Sequence, residues 1–322
     1  MTNRENFLKA VLRDKPDHVP INGGYCYGKY DAASECKVVN ARLGDKDWGY
    51  AFSRIDGDTT TMGQVTEHPL QSHGDILDWQ PPKLAGEDRF EGVAEKVKEY
   101  KEADLFIFGG VGSFIFERLH YLVGMEELFA LLYDDPELFR TLGDQVADFN
   151  CELIHRYANA GVDGVWGGDD WGLQDRLMIS PSMWRAFFQP WYAKLFTTAK
   201  ELGLITYMHS CGKNNEIIPD LIECGLDVIE LHQPNVYDVD WLSKHAGGKI
   251  CFSTTPDIQT TLPLGNKERI LFETRNLKEK LGRFDGGLMY NLYGSPEAIG
   301  ISFESMDFYL DKAREIGKYD ER

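Results

Sequence analysis

The stretch LITYMHSCGKNNEIIPDLIECGLDVIELHQ, residues 204–233, decides the fold. LITYMHS is a short apolar run of strand type, NEIIPDLIECG has helical spacing with Gly225 as its stop, and LDVIELHQ is a second strand. Strand, helix and strand in such close order form a β/α unit of a parallel sheet, not part of a sandwich. His209 and Cys211 close the first strand, and Glu230, His232 and Gln233 close the second.

The same rhythm extends in both directions. HVPINGGYC (18–26), LFIFGG (105–110), VDGVWGGDD (162–170), KICFSTTPD (249–257) and GGLMYNLYG (286–294) are further strands. Between them lie helical stretches at 125–161, broken at Asp135-Pro136, and at 180–203, with Ser180 as N-cap and Pro181 at the first helical position. Shorter helices follow at 238–247, 267–282 and 302–317. Repeated β/α units without a composition break predict a (β/α)8 TIM-like barrel forming one domain, 1–322. A doubly wound sheet lacks its usual support, because no strand runs into G-x-G-x-x-G and a helix. Ahead of the barrel, MTNRENFLKAVLRDK places Phe7, Leu8, Val11 and Leu12 on one helical face, as an N-terminal helical extension that docks on the barrel.

With 52 Asp and Glu against 34 Lys and Arg, the net charge is −18, which argues against nucleic acid and anionic membrane surfaces as partners. No run reaches the roughly 18 apolar residues of a membrane span, and the N-terminus lacks a signal-peptide pattern, so a cytoplasmic protein is expected. The six cysteines are spread too widely for a disulfide framework and are expected to be reduced.

In a barrel the chemistry sits where strands end. The polar residues there are Tyr25, Cys26, Glu117, Asp169, Asp170, Gln174, His209, Cys211, Glu230, His232, Gln233, Cys251, Asp257, Gln259, Asn291 and Tyr293. Residues two apart on a strand share a face, so His209 and Cys211 both reach the barrel mouth if the extended geometry persists to Cys211. Imidazole and thiolate together suit Zn²⁺ with an open position. The competing reading is a buried histidine beside an inert core thiol. For Asp169 and Asp170 the competing reading makes one a helix N-terminal partner and leaves the other solvated.

RENFLKAVLRDKPDHVPI (4–21), AGVDGVWGGDDWGLQDRLMISPSMWRAFFQPWYAKL (160–195), HSCGKNNEIIPDLIECGLDVIELHQP (209–234) and PDIQTTLPLG (256–265) together resemble the uroporphyrinogen decarboxylase superfamily, in its corrinoid-dependent methyltransferase branch. The resemblance covers most of the chain and implies a barrel with a deep central site. The superfamily's decarboxylases carry an arginine-rich R-Q-A-G-R segment after the first strand. INGGYCYGKY stands here instead, with Lys29 as the only nearby cation, which tells against porphyrinogen decarboxylation.

The H-x-C pair matches the zinc methyltransferases. Coenzyme M methyltransferases add a cysteine in a P-G-C-G-like segment at the last strand, where this chain reads MYNLYGSPEA (289–298). A third ligand must then come from elsewhere; Cys251 is favoured over Glu117, Asp169, Glu230 and His232. The resemblance implies transfer of a methyl group from a small methoxylated, aromatic compound to the cobalt of a separate corrinoid (cobalamin) protein, an O-demethylation assisted by zinc at His209, Cys211 and Cys251. Asp169 or Asp170 would move the proton, and Tyr25, Trp171, Gln174, Glu117 and Asn291 would bind substrate. The alternatives are a thiol methyltransferase of coenzyme M type, a decarboxylase of a smaller acid, and a non-catalytic ligand-binding barrel; a homodimer is compatible with each.

Overall fold

The computed structural model describes residues 1–23, 28–54, 63–84 and 87–319. Eight parallel strands form one nearly closed barrel: β1 (Ile21–Asn22), β2 (Cys36–Val39), β3 (Phe106–Ser113), β4 (Gly164–Gly168), β5 (Ile205–His209), β6 (Val228–Leu231), β7 (Cys251–Thr254) and β8 (Leu288–Asn291). They lie in chain order around the barrel, with β8 returning to pair with β1. The expected (β/α)8 barrel is therefore present. Register aligns Gly168 with His209 and His209 with Glu230, so the mouth residues of β4, β5 and β6 stand at one level.

No ladder joins β1 to β2 among the described residues. Glu35 closes this seam. Its backbone amide donates to the Ile21 carbonyl at 2.9 Å, while its carboxylate accepts the Ile21 amide at 2.9 Å and lies 3.1 Å from His18 Nε2.

The floor of the barrel is apolar. Phe7 and Val11, from the helix Asn3–Leu12, pack there with Cys36, Phe106, Phe108, Tyr207, Val228, Cys251 and Met289. Phe7 stacks on Phe106 with ring centroids 4.7 Å apart. The docking helix is thus as expected, but Leu8 and Leu12 turn to solvent at 38% and 51% exposure, because the buried face is formed by Asn6, Phe7, Ala10 and Val11.

The structure differs from the sequence reading at strand β2 and over 180–203, and adds helices such as Val93–Glu102 and Phe116–Val123. Strand β2, CKVV, has four residues and an internal lysine, too little periodicity to mark it. The stretch 180–203 forms two helices, Pro181–Phe187 and Gln189–Glu201, because Pro190 has no N–H with which to continue the first. Between β2 and β3 the chain makes a long excursion that includes an antiparallel pair, Ala51–Ser53 with Gln64–Glu67. No helix among the described residues is long and apolar enough to cross a membrane.

The floor packing predicts that Phe7→Ala lowers unfolding free energy by roughly 3–5 kcal/mol, read by urea denaturation. The seam makes a second prediction. The hydrogen bond to Glu35 holds His18 above the usual imidazole range, against the opposing effect of burial. A raised folded value means that its stabilisation is complete below about pH 6.5 and fades as pH rises through that value. Between roughly pH 6 and pH 8 the wild type should therefore lose more stability than His18→Gln; parallel slopes in denaturant titrations would refute this.

Candidate active site

The strand β5 ends at His209, and the next residue, Ser210, is fully buried with its hydroxyl accepting the Trp171 amide at 3.3 Å. Extended geometry does not persist to Cys211, yet His209 Nε2 and Cys211 Sγ lie 3.2 Å apart. A clamp between two rim loops brings them together. The Asp170 carboxylate, from the end of β4, accepts the Cys211 amide at 2.7 Å. The Cys211 carbonyl accepts the Gly172 amide at 3.1 Å, and the Lys213 amide donates to the Leu173 carbonyl at 2.7 Å.

Gly212 sits at φ +71, where a side chain is strained, and a Cβ built there would lie 1.8 Å from the Gly172 carbonyl oxygen. The glycine after the His-x-Cys pair is thus what lets the two loops touch.

Around His209 the charges are acidic. Asp170 Oδ1 lies 3.5 Å from its Nε2 and Glu230 Oε2 lies 3.8 Å from its Nδ1. Glu230 also meets His232 Nε2 at 2.8 Å and accepts hydrogen bonds from Asn291 at 2.7 Å and Trp166 at 3.3 Å. Burial pushes the Glu230 carboxyl up, but the His232 charge and hydrogen bond, His209 and Trp166 together bring it down to about 2, so it stays ionised. Burial pushes the Cys211 thiol well up, and the charges of Asp170, Glu230 and Glu117 add to this. Glu117 is likewise held well above the usual carboxylate range by burial, then by Asp170 and Asp169.

Two cavities meet at His209 and Trp166. One, of about 430 Å³, descends into the barrel between Asn22, Tyr207, Cys211, Glu230, His232, Asn291 and Tyr293. The other, of about 800 Å³, lies under the long excursion and is bounded by Asp170, Glu117, Arg118, Trp48, Tyr50 and Tyr121.

His209, Cys211, Asp170, Glu117 and Asn291 thus come together at the cavities. Asp169 does not. Its buried carboxylate accepts the amides of Ile115, Phe116 and Glu117 at 2.7, 3.1 and 2.9 Å and the Tyr192 hydroxyl at 2.6 Å, capping the helix Phe116–Val123. Burial pushes this carboxyl up to about 6 against those donors. In the structure this carboxylate caps the helix and lines neither cavity.

Cys251 does not reach the mouth either. It opens its strand instead of ending it, and is fully buried in the apolar floor. Trp171 is fully buried outside both cavities, stacked on Phe116 at 4.3 Å and bonded to Tyr192, so it packs the helical shell. Gln174 is exposed on the loop after β4 and lines neither cavity. Tyr25 lies outside the described residues.

Sequence reasoning missed Trp166, Tyr207 and Arg118 as cavity residues. Trp166 and Tyr207 follow from strand alternation once the barrel is assumed. Arg118 carries no local signal.

The donor set fits a zinc ion. Donor atoms of Asp170, His209 and Cys211 lie within 4.8 Å of one another, as do those of His209, Glu230 and His232, and His209 belongs to both groups. The first group offers oxygen, nitrogen and sulfur beside open cavity, as a catalytic zinc requires. Glu230 in the second is already engaged by Asn291 and Trp166.

The family profile for uroporphyrinogen decarboxylase (URO-D) matches residues 55–283, and the chain belongs to that family. The methylcobamide:CoM methyltransferase MtaA of Methanosarcina barkeri is 26% identical over 160 residues, 48% of this chain and 44% of that protein. The chain thus matches under half the length of that relative. Uroporphyrinogen decarboxylase of Bacillus pumilus is 23% identical over 268 residues, 70% of this chain and 73% of that protein. A methyltransferase from Methanosarcina mazei shares the fold, with TM-score 0.76 and 17% identity, covering 98% of this chain and 99% of that one.

Because Asp169 holds three amides and a tyrosine hydroxyl, Asp169→Ala should lower stability by about 3 kcal/mol. The same change at Asp170, which holds one amide from the half-exposed cavity wall, should cost less, about 1.5 kcal/mol. Thermal melts of the two variants check this ordering.

Proposed function

We propose that this chain is a methyltransferase that moves a methyl group from a small methoxylated aromatic compound to the cobalt of a separate corrinoid protein. The observation that carries the reading is the convergence of His209 Nε2 and Cys211 Sγ beside Asp170, at the junction of two cavities. The family membership and the methyltransferases among its relatives support it.

In this reading His209, Cys211 and Asp170 hold Zn²⁺, with Asp170 taking the place expected of Cys251. When bound, the ion supplies Lewis acidity toward the ether oxygen of the substrate. The remaining work falls to side chains. The charge of Glu230 faces His209 Nδ1 and orients the ring. Glu117, whose carboxyl burial and the neighbouring acids push well above its ordinary range, gives its proton to the departing aryl oxide, which retains the electron pair of the broken carbon–oxygen bond. The methyl group leaves toward the electron pair of the partner's reduced cobalt. Trp166 and Tyr293 bound the inner cavity and restrict what reaches it.

MtaA among the relatives favours a second reading, methyl transfer to a thiol. Asn291 and Tyr293 stand at the end of β8, where a third cysteine would be expected for it, and Asn291 is tied to Glu230 and His232. A decarboxylase of a small acid is the third reading, separated by assay for released CO₂.

The purified protein should contain about one zinc per chain, and His209→Ala with Cys211→Ala should lose it while the far-UV circular dichroism is retained. Demethylation of methoxyarenes should require added reduced corrinoid protein, and a metal-free protein with full activity would remove zinc from the scheme. Gly212→Ala should drive the two rim loops apart and lower zinc affinity by about tenfold or more.

A further inference from the structure

The site described above engages His232 only through its Nε2. That atom faces the Glu230 carboxylate at 2.8 Å and Asn291 Oδ1 at 3.0 Å, and the Asn291 amide is oriented by its own Nδ2, which donates to Glu230 at 2.7 Å. Both neighbours of Nε2 are acceptors, so Nε2 carries the hydrogen. The ring is set against those of His209 and Tyr293, with centroids 5.0 and 5.3 Å away.

The other ring nitrogen, Nδ1, has no hydrogen-bond partner among the described residues, although His232 is only 8% exposed. It is not sealed in the packing either, and His232 bounds the inner cavity of about 430 Å³. Polar side chains deeper in that cavity are committed to one another: Asn22 to Tyr207, Ser253 and Cys36, and Asn291 to Glu230 and His232. Val38, Phe108, Trp166, Ile258 and Leu292 supply apolar wall.

In the neutral ring Nδ1 is an acceptor, and in the charged ring it is a donor. A hydroxyl answers to both states, because it donates and accepts. An apolar ring edge in the same place strips the nitrogen of water and leaves it unpaired, whereas a hydroxyl replaces the contact that it displaces. A site built in this way discriminates against the analogue that lacks the O–H.

We propose that His232 is a specificity-determining residue: its Nδ1 pairs with a hydroxyl on the molecule that occupies the inner cavity, so that a ring bearing a free hydroxyl is selected over the same ring without one. This contact stands apart from methyl transfer; that the ring is also a methyl ether rests on the reading given under Proposed function. The His209 and His232 rings, 5.0 Å apart, suit an ether oxygen and a hydroxyl on neighbouring ring carbons.

The test is calorimetric titration at neutral pH with 2-methoxyphenol and with methoxybenzene. The wild type should bind the phenol roughly tenfold more tightly, the scale of one hydrogen bond in a desolvated site. In His232→Gln the amide reaches the place of Nε2 and leaves that of Nδ1 empty, so the preference should vanish. In His232→Asn the amide stands where Nδ1 stood and should keep part of it. The metal content of both variants should equal that of the wild type; a loss of zinc in either makes His232 a metal ligand and overturns the proposal. A wild type that binds the two ligands alike overturns it as well, whether or not the variants fold. Phenol preference that depends on His232, without demethylation when reduced corrinoid protein is supplied, sustains the contact and sinks the demethylase reading. Demethylation of both ligands at equal rates and with equal affinity does the reverse.

Discussion

The site depends on the contact between the loops that follow β4 and β5. A strand alternates its side chains reliably only while it stays extended, and β5 stops at His209. What returns Cys211 to the imidazole is the Asp170 carboxylate on its amide and the backbone approach of Gly172 to Gly212. Asp170 therefore does two things at once. It fixes the turn that carries the thiol, and it presents its own oxygen to the same space.

The acidic surroundings give this arrangement its electrostatic character. Cys211, Glu230, Asp170 and Glu117 stand around His209 at the junction of the two cavities, so burial and mutual repulsion push the thiol and the Glu117 carboxyl well up, while Glu230 is held down to about 2 by its two histidines. Such a cluster is matched to a divalent cation, whose charge reverses the preference of a neighbouring thiol. Asp170 and Glu117 bound the outer cavity together with Arg118 and the aromatic side chains of the excursion, whereas Cys211 and Glu230 bound the inner one. Polarity thus differs between the two cavities that share His209.

Much of the barrel was legible in the sequence because a parallel strand buried on both faces reads as a continuous apolar run, and seven of the eight strands do so. Strand β2 escaped because it is four residues long and its pairing with β3, not its own pattern, makes it a strand. At the site, His209, Cys211, Asp170, Glu117 and Asn291 were found from their places at strand ends. Asp169 and Trp171 were misplaced for a common reason. Both lie beside Asp170 in sequence, but the turn after Gly168 directs them into the helical shell, where Asp169 meets free helix amides and Trp171 meets Phe116.

The sequence by itself determined the repeating β/α order, the docking helix with Phe7 and the His-x-Cys-Gly motif, since each follows from local periodicity and residue chemistry. Only the tertiary structure decided that Asp170 rather than Cys251 stands with the pair, because which end of a strand a residue occupies sets whether it meets the mouth or the floor. It also decided that the excursion between β2 and β3 supplies Trp48 and Tyr50 to Arg118. Contacts between segments tens of residues apart depend on how the closed barrel brings loops together, and no local pattern in the chain records that.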